Sequence, residues 1–227
     1  MTTDTVLFDF SGTLFDPLRV VDGPAFAASA GRRGRRLAVS RAEVLGRRIL
    51  AYAESPAGLR TRVRCDLSTT EHRAGWVATA VEVPGVDPVL ADAFHDCITD
   101  PARWLPYHDT GPVLRTLRDH GVRVGVVSNC GWDLRRAFRR AGLADLVDAY
   151  ALSCEHGCAK PGPELFRIAL DALAADPART VMVGDDPHAD AGALSVGIAV
   201  RLLPAASPHP SPRGLSQVLS AVPLPRK

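Results

Sequence analysis

The stretch Val6-Leu7-Phe8-Asp9-Phe10-Ser11-Gly12-Thr13-Leu14 decides the fold of this chain. Its apolar run predicts a short buried strand, and the Asp, Ser, Gly and Thr residues at its end predict a turn. In open sheets of parallel strands, ligands bind beyond the carboxyl ends of the strands. Asp9 and the turn after it are therefore the first candidate functional residues.

Downstream of this stretch, predicted strands alternate with helical patterns. Short apolar runs predict further strands at residues 122–127, 150–152, 180–183 and 198–203. The intervening segments have apolar residues at helical spacing, at residues 110–120 and 132–140 and from Pro163 onward. Such alternation predicts an α/β fold, a Rossmann-like parallel sheet with helices on both faces. Two more polar clusters follow predicted strands, Ser128-Asn129 and residues 185–190.

Residues 17–106 do not continue this alternation. They contain four helical patterns, at residues 25–30, 41–53, 71–80 and 88–97. We expect an inserted helical cap domain over the strand ends, which leaves residues 1–16 and 107–227 as the α/β core. A proline-rich stretch at residues 204–212 should lead to a short final helix.

Composition restricts the classes of partner. The chain has 227 residues, of which 46% are hydrophobic and 23% charged, so it is an ordinary globular protein. A net charge of +2 gives no electrostatic case for nucleic acid or a membrane surface, and there is no apolar run long enough to span a bilayer. Five irregularly spaced cysteines and the lack of a signal segment predict a cytoplasmic location. The sequence does not indicate an oligomeric state.

The ordered motifs resemble those of one superfamily. They are Asp9-x-Ser11-Gly12-Thr13, Ser128-Asn129, Lys160-Pro161 and Gly184-Asp185-Asp186-x3-Asp190. In this order and context they resemble the haloacid dehalogenase (HAD) superfamily of aspartate-nucleophile hydrolases, in the subclass with a helical cap after the first strand. The resemblance extends over essentially the whole chain and implies a HAD-type core.

The residue types suit hydrolysis of a phosphate ester. Asp9 can attack phosphorus and form a covalent intermediate. Lys160, which with Lys227 is one of only two lysines, can offset the charge of the phosphate. Backbone N–H groups of the Asp9 turn can hold the phosphate oxygens. The predicted phosphate-binding residues are Gly12, Thr13, Ser128, Asn129 and Lys160.

Carboxylates at two strand ends predict a Mg²⁺ site. Asp9 and Asp185 supply the oxygen ligands that this ion prefers. The resemblance implies that the backbone carbonyl of Ser11 is a third ligand. It also implies that Asp186 and Asp190 do not bind the metal directly but hold the groups around it, such as Lys160.

Ser11 is the main departure from the pattern. Phosphatases of this superfamily have a second aspartate at that position, as general acid and then base, and a serine hydroxyl cannot do this work. Two histidines near the motifs, His156 and His188, are alternative bases or plain loop residues. Seven arginines between residues 32 and 48 form a solvated helical face or bind an anionic group of the substrate.

The sequence thus predicts a Mg²⁺-dependent hydrolase that acts on a small phosphorylated metabolite through an aspartyl-phosphate on Asp9. Two alternatives remain open. One is a metal-independent 2-haloacid dehalogenase, and the other is a catalytically inactive member that binds a phosphorylated ligand or a partner. Phosphonatase chemistry requires a cap lysine, and residues 17–106 contain none.

Overall fold

The computed structural model describes residues 3–204 and 212–221. The strands are β1 (Thr5–Phe8), β2 (Phe15–Asp16), β3 (Leu105–Pro106), β4 (Arg123–Ser128), β5 (Ala149–Leu152), β6 (Thr180–Gly184) and β7 (Ala199–Leu202). The α-helices are α1 (Gly23–Arg32), α2 (Val39–Ala53), α3 (Pro56–Thr61), α4 (Thr69–Val81), α5 (Pro88–Ile98), α6 (Thr110–Asp119), α7 (Arg135–Arg140), α8 (Ser153–His156), α9 (Pro163–Ala172) and α10 (Leu215–Ala221). Short 3-10 helices cover Pro17–Arg19, Cys65–Leu67, Ala144–Leu146, Pro177–Arg179 and Asp190–Val196.

Five strands form one parallel sheet in the order β5-β4-β1-β6-β7. The central strand β1 pairs with β4 on one side and β6 on the other, so that Leu7 lies between Gly125 and Met182. All four residues of β1 are buried. A strand that is buried on both faces consists of consecutive apolar residues and does not alternate with polar ones. The predicted α/β class with a parallel sheet is confirmed.

Alternate residues of the sheet face two separate hydrophobic clusters. Val6 and Phe8 pack in a cluster with residues of α6 and α7, including Leu114 and Phe138. Leu7 packs on the opposite face, in a cluster with residues of α9. Because helices pack on both of its faces, β1 is fixed in the core, and this fixes the position of Asp9, the residue that follows it.

Helices α1 to α5 form a layer with a core of its own. Its cluster contains Phe26, Ile49 and Phe94, all of them fully buried. Several of these helices begin at side-chain caps: the Asp22 and Asp87 carboxylates accept hydrogen bonds from the N–H groups of Ala25 and Leu90. Each such cap stabilises a helix by about 1 kcal/mol.

A two-residue antiparallel ladder joins the two ends of this helical layer. In it Phe15 of β2 pairs with Pro106 of β3, and Asp16 pairs with Leu105. The chain therefore leaves the sheet and returns to it at neighbouring points, directly after the turn that follows Asp9.

Two sequence expectations need correction in detail. The helix expected from residue 132 begins only at Arg135, because the Asp133 carboxylate accepts a hydrogen bond from the Arg135 N–H and forms a turn. Helix α3 was not expected, because its sequence contains a proline and a glycine. The final helix α10 is confirmed, whereas most of the proline-rich stretch, residues 205–211, lies outside the described residues. Within the described part of the chain, no helix has the length and apolar character needed to cross a bilayer.

Candidate active site

Four loops meet at the carboxyl ends of the central strands. Asp9 directly follows β1, Ser128 is the last residue of β4, and Asp185 directly follows β6. Lys160 lies in the loop between α8 and α9, and Asp190 begins a 3-10 helix after β6. The parallel order of the strands brings these distant parts of the sequence to one edge of the sheet.

Lys160 joins two carboxylates in a buried ionic centre. Its Nζ donates hydrogen bonds to Asp9 Oδ1 at 2.7 Å and to Asp190 Oδ1 at 2.6 Å. The side chain of Lys160 is 2% exposed and that of Asp190 is 0% exposed. Charges at this depth lose most of their hydration, so each depends on its partner to remain ionised. The predicted proximity of Asp9, Lys160 and Asp190 is observed.

This centre changes the acidity of its members. Burial raises the pKa of Asp9 to about 6, and the neighbouring carboxylates of Asp190 and Asp185 contribute to the rise, whereas Lys160 opposes it. Burial lowers the pKa of Lys160, but Asp9 and Asp190 outweigh this and leave the pKa above its usual value. At neutral pH and above, Asp9 is thus mainly a carboxylate beside a charged ammonium, the state that a nucleophile requires.

Three carboxylates lie close together at this edge and could hold a metal ion. One oxygen each from Asp9, Asp185 and Asp190 lies within 4.8 Å of the others. A set made only of oxygen donors suits a hard cation such as Mg²⁺. Burial also raises the pKa of Asp185, although the Arg213 guanidinium opposes the rise. Bringing three carboxylates together is unfavourable by itself, and a divalent cation would relieve this repulsion. The residues present therefore fit the metal.

Gly12 allows Asp185 to come close to the turn after Asp9. Its φ is +77°, which favours glycine, and a Cβ at this position would lie 2.4 Å from Asp185 Oδ2. The next residue, Thr13, is buried and donates from Oγ1 to Asp185 Oδ1 at 3.2 Å. Gly12 and Thr13 thus orient a predicted metal ligand in this structure.

Asn129 fixes the backbone of Lys160 through both ends of its amide group. Its Nδ2 donates to the Lys160 carbonyl at 2.9 Å, and its Oδ1 accepts from the Lys160 N–H at 2.8 Å. Asn129 therefore positions the lysine relative to Ser128 and Asp9.

We expect Asn129→Asp to lower the free energy of unfolding by about 1–3 kcal/mol, because a carboxylate oxygen would replace the donor that faces the Lys160 carbonyl. Urea unfolding measures this, with Asn129→Ala as the control that loses both hydrogen bonds without adding a charge. At pH 8 the Asp variant should be the less stable of the two. Equal stability of the Asp variant and wild type would contradict the arrangement.

Arg213 is a site residue that sequence analysis missed. It is buried, its Nε donates to the Gly12 carbonyl, and its Nη2 lies 3.4 Å from Asp185 Oδ2. The Asp109 carboxylate accepts hydrogen bonds from the N–H groups of residues 213, 214 and 215 and anchors this segment. No sequence signal reveals this role, because Arg213 is one of many arginines and follows the proline-rich stretch.

A cavity of about 300 Å³ lies between these strand ends and the helical layer. Ser11, Ser128 and Asn129 line it, and they neighbour the ionic centre, whose own residues do not line the cavity. Ser11 is exposed and Ser128 is buried. The wall formed by the helical layer includes Arg62 and Trp76.

Other predicted residues lie away from this cavity. His156 and His188 are exposed, and neither of them lines it. The seven arginines between residues 32 and 48 do not line it either, and some pair with acids of the helical layer, such as Arg33 with Asp96 at 2.6 Å. The carboxylate of Asp186 accepts hydrogen bonds from the N–H groups of His188 and Ala189, so it stabilises the turn in which it lies.

The fold and the site define an α/β protein with a buried carboxylate–lysine centre at its strand ends, and comparison with known proteins agrees. A family model described as haloacid dehalogenase-like hydrolase matches residues 3–196. The chain belongs to this family, the haloacid dehalogenase-like hydrolases, and is an enzyme of the hydrolase class.

The relatives and structural neighbours include both phosphatases and dehalogenases. Ribulose-1,5-bisphosphate 5-phosphatase of Halopiger xanaduensis is 30% identical over 206 residues, which cover 85% of this chain and 81% of that protein. A HAD phosphatase from Thermococcus onnurineus aligns over 100% of both chains, with a TM-score of 0.62 and 22% identity. L-2-haloacid dehalogenase from Xanthobacter autotrophicus has a TM-score of 0.62 and 23% identity over 89% of this chain and 78% of its own. At these identities the two structures establish the fold alone.

Proposed function

We propose that this hydrolase is a Mg²⁺-dependent phosphatase that hydrolyses a small phosphorylated metabolite through an aspartyl-phosphate on Asp9. The observation that carries the proposal is the centre in which Lys160 contacts Asp9 and Asp190, together with the carboxylate of Asp185 nearby. The three carboxylates form a cation site of the kind that phosphoryl transfer uses.

In this mechanism each residue has a defined task. One carboxylate oxygen of Asp9 attacks phosphorus in line with the leaving oxygen, and the Lys160 ammonium reduces the repulsion between two anions. The Ser128 hydroxyl and the backbone N–H groups of Phe10 and Ser11 hold phosphate oxygens, whereas the Gly12 N–H already donates to the Phe15 carbonyl. Asp190 keeps Lys160 in place. Water then hydrolyses the aspartyl-phosphate, which releases inorganic phosphate and restores the Asp9 carboxylate.

Asp9, Asp185 and the Ser11 carbonyl would hold the metal, with Asp190 behind them. When bound, Mg²⁺ would supply positive charge that stabilises the negatively charged transition state. Residues 17–106 would act as a cap that excludes bulk water and selects the substrate. Two facts support the cap role: these residues form one wall of the cavity, and the Ser153 hydroxyl donates to the Asp66 carbonyl at 2.6 Å across the boundary.

The test is phosphate release from p-nitrophenyl phosphate and acetyl phosphate, with Mg²⁺ and with EDTA. We expect release with Mg²⁺, loss of release with EDTA, and no release by Asp9→Asn protein that circular dichroism shows to be folded. As a measurement independent of turnover, Mg²⁺ should raise the Tm of wild type more than that of Asp185→Asn.

Other outcomes would overturn the proposal. Halide release from 2-chloropropionate without metal would identify a dehalogenase. A rise in Tm with a phosphorylated ligand, without any product, would identify a binding protein. We expect neither outcome, because a set of carboxylate oxygens suits a hard cation.

A further inference from the structure

We propose that the substrate is a phosphate monoester of an aromatic alcohol, and that its ring lies in the cavity against the half-buried Trp104 and Trp76. This inference rests on the proposed phosphatase function and specifies its substrate class. Two unrelated features support it: the lining of the cavity and the residue at position 11.

An aromatic wall forms the side of the cavity next to the nucleophile. It consists of Phe10, Trp104 and Trp132, with ring centroids 4.9 Å apart for Phe10 and Trp104 and 5.9 Å apart for the two tryptophans. The Trp104 Nε1 donates to the Ile98 carbonyl at 3.0 Å, so the polar edge of this ring is already satisfied. Phe10 and Trp132 are buried and hold the half-buried Trp104 in place, which offers its remaining apolar surface to a ligand ring at little entropic cost.

Trp76 lines the same cavity from the helical layer. It lies 5.9 Å from Phe94, a fully buried residue of that layer's own core, which fixes its position. The cavity of about 300 Å³ is large enough for one or two rings. Its volume and the aromatic residues in its lining therefore suit an aryl group attached to a phosphate at the strand ends.

The charges of the cavity disfavour a second anionic group on the substrate. Arg62 is the only arginine or lysine among the described residues that line it. Its Nη2 already donates to the Ala53 carbonyl at 2.7 Å and lies 3.9 Å from Glu54 Oε1, while its Cζ lies 4.3 Å above the Trp76 ring. Asp66 adds a further carboxyl group to the lining. Arg62 Nε has no hydrogen-bond partner in the part of the chain that the structure describes, so a second anionic group would meet one partly engaged guanidinium and the carboxyl groups of Glu54 and Asp66.

His72 does not change this balance. It lines the cavity, and burial lowers its pKa to about 3, with His95 and Arg62 adding to the effect. It is therefore neutral at physiological pH. It contacts His95 through a ring-nitrogen hydrogen bond of 3.0 Å.

The residue at position 11 points independently to the same class. With Ser11 the position two residues after the nucleophile carries no carboxyl group to protonate the leaving oxygen. A phenol has a pKa of about 10, so it can leave as phenolate without an acid, whereas an alkyl alcohol needs a proton to leave. In the first step the Asp9 oxygen binds phosphorus and the phosphorus–oxygen bond to the ring breaks. The electron pair stays on the aryl oxygen, which takes a proton from solvent. Water then cleaves the aspartyl-phosphate into phosphate and the free carboxylate.

The first test separates recognition of the ring from leaving-group reactivity. Phenylphosphonate and cyclohexylphosphonate are not hydrolysed and carry six-membered carbon rings, one planar and aromatic and the other puckered and saturated. We expect phenylphosphonate to inhibit p-nitrophenyl phosphate turnover with a Ki at least about tenfold lower than the Ki of cyclohexylphosphonate. Equal inhibition by the two compounds would overturn the proposal.

The second test uses variants of the cavity and ratios of kcat/KM. Acetyl phosphate is an activated substrate without a ring. In Trp76→Leu, kcat/KM for 2-naphthyl phosphate divided by kcat/KM for acetyl phosphate should fall about tenfold, and Trp76→Phe should restore most of this ratio. Leu59→Ala, an exposed position of the same helical layer outside the cavity, is the matched control and should keep the ratio. If Trp76→Leu left this ratio of kcat/KM values unchanged, the assignment of an aryl substrate would be overturned. Turnover of acetyl phosphate by the same protein would still support the proposed phosphatase function. Absence of turnover on every phosphate would overturn the proposed function itself.

Discussion

Ser11→Asp should raise kcat/KM for an alkyl phosphate such as glycerol 2-phosphate by about 10²–10⁴-fold, the usual contribution of a positioned general acid. Ser11 is exposed and lines the cavity beside Ser128, so a carboxyl group there can reach the leaving oxygen. The rise should be less than about tenfold in kcat/KM for p-nitrophenyl phosphate, because this leaving group departs without a proton. Steady-state kinetics on both substrates measures the difference.

The matched control is Ser11→Asn, which has the shape of aspartate but cannot transfer a proton. It should give no gain on either substrate. An equal gain in the Asp and Asn variants would mean that side-chain size at position 11, and not acid catalysis, limits the rate. In that case the leaving-group argument for Ser11 would fail.

Lys160→Met should lower the free energy of unfolding by about 3–5 kcal/mol, the usual cost of removing one member of a buried ionic group. The variant would leave Asp9 and Asp190 without the ammonium that contacts both, at 2.7 and 2.6 Å. Urea unfolding without metal measures the loss. The double variant Lys160→Met/Asp190→Asn should recover part of the lost stability, because it removes one of the two unpaired buried charges.

The loss should also depend on pH. Loss of the ammonium raises the pKa of the Asp9 carboxyl, which already lies at about 6. A carboxyl group whose pKa is higher in the folded than in the unfolded state reduces stability as pH rises between those two values. The difference between wild type and variant should therefore be larger at about pH 8 than at about pH 5. A loss below about 1 kcal/mol, or one independent of pH, would contradict the assignment of Lys160 as the charge that balances the site.

The arrangement of the ionic centre could be predicted because the topology determines it. Asp9, Ser128 and Asp185 stand at the ends of adjacent parallel strands, and any sheet with β1 between β4 and β6 brings such residues together. Lys160 was identifiable because lysine is rare in this chain. Its contact with Asp9 agrees with the sequence expectation.

The cavity could not be predicted in the same way. Its tryptophans lie in different parts of the sequence, and singly each was more typical of core packing. Trp104 and Trp132 do pack against each other, but they also line the cavity. Arg213 was missed because its contact with Asp185 depends on three backbone N–H groups that Asp109 holds, and such contacts have no sequence pattern.

The ladder between β2 and β3 makes the helical layer exchangeable. Because Asp16 and Leu105 face each other across it, the chain can leave and rejoin the sheet there whatever its intervening length. Loop-closure entropy grows only slowly with length, so the sheet would tolerate an insert of different size. A chimera that carries a foreign helical bundle, or a tight hairpin, between these two residues would keep the ionic centre and receive a new pocket. The sheet with its ionic centre and the helical layer could thus be changed independently of each other.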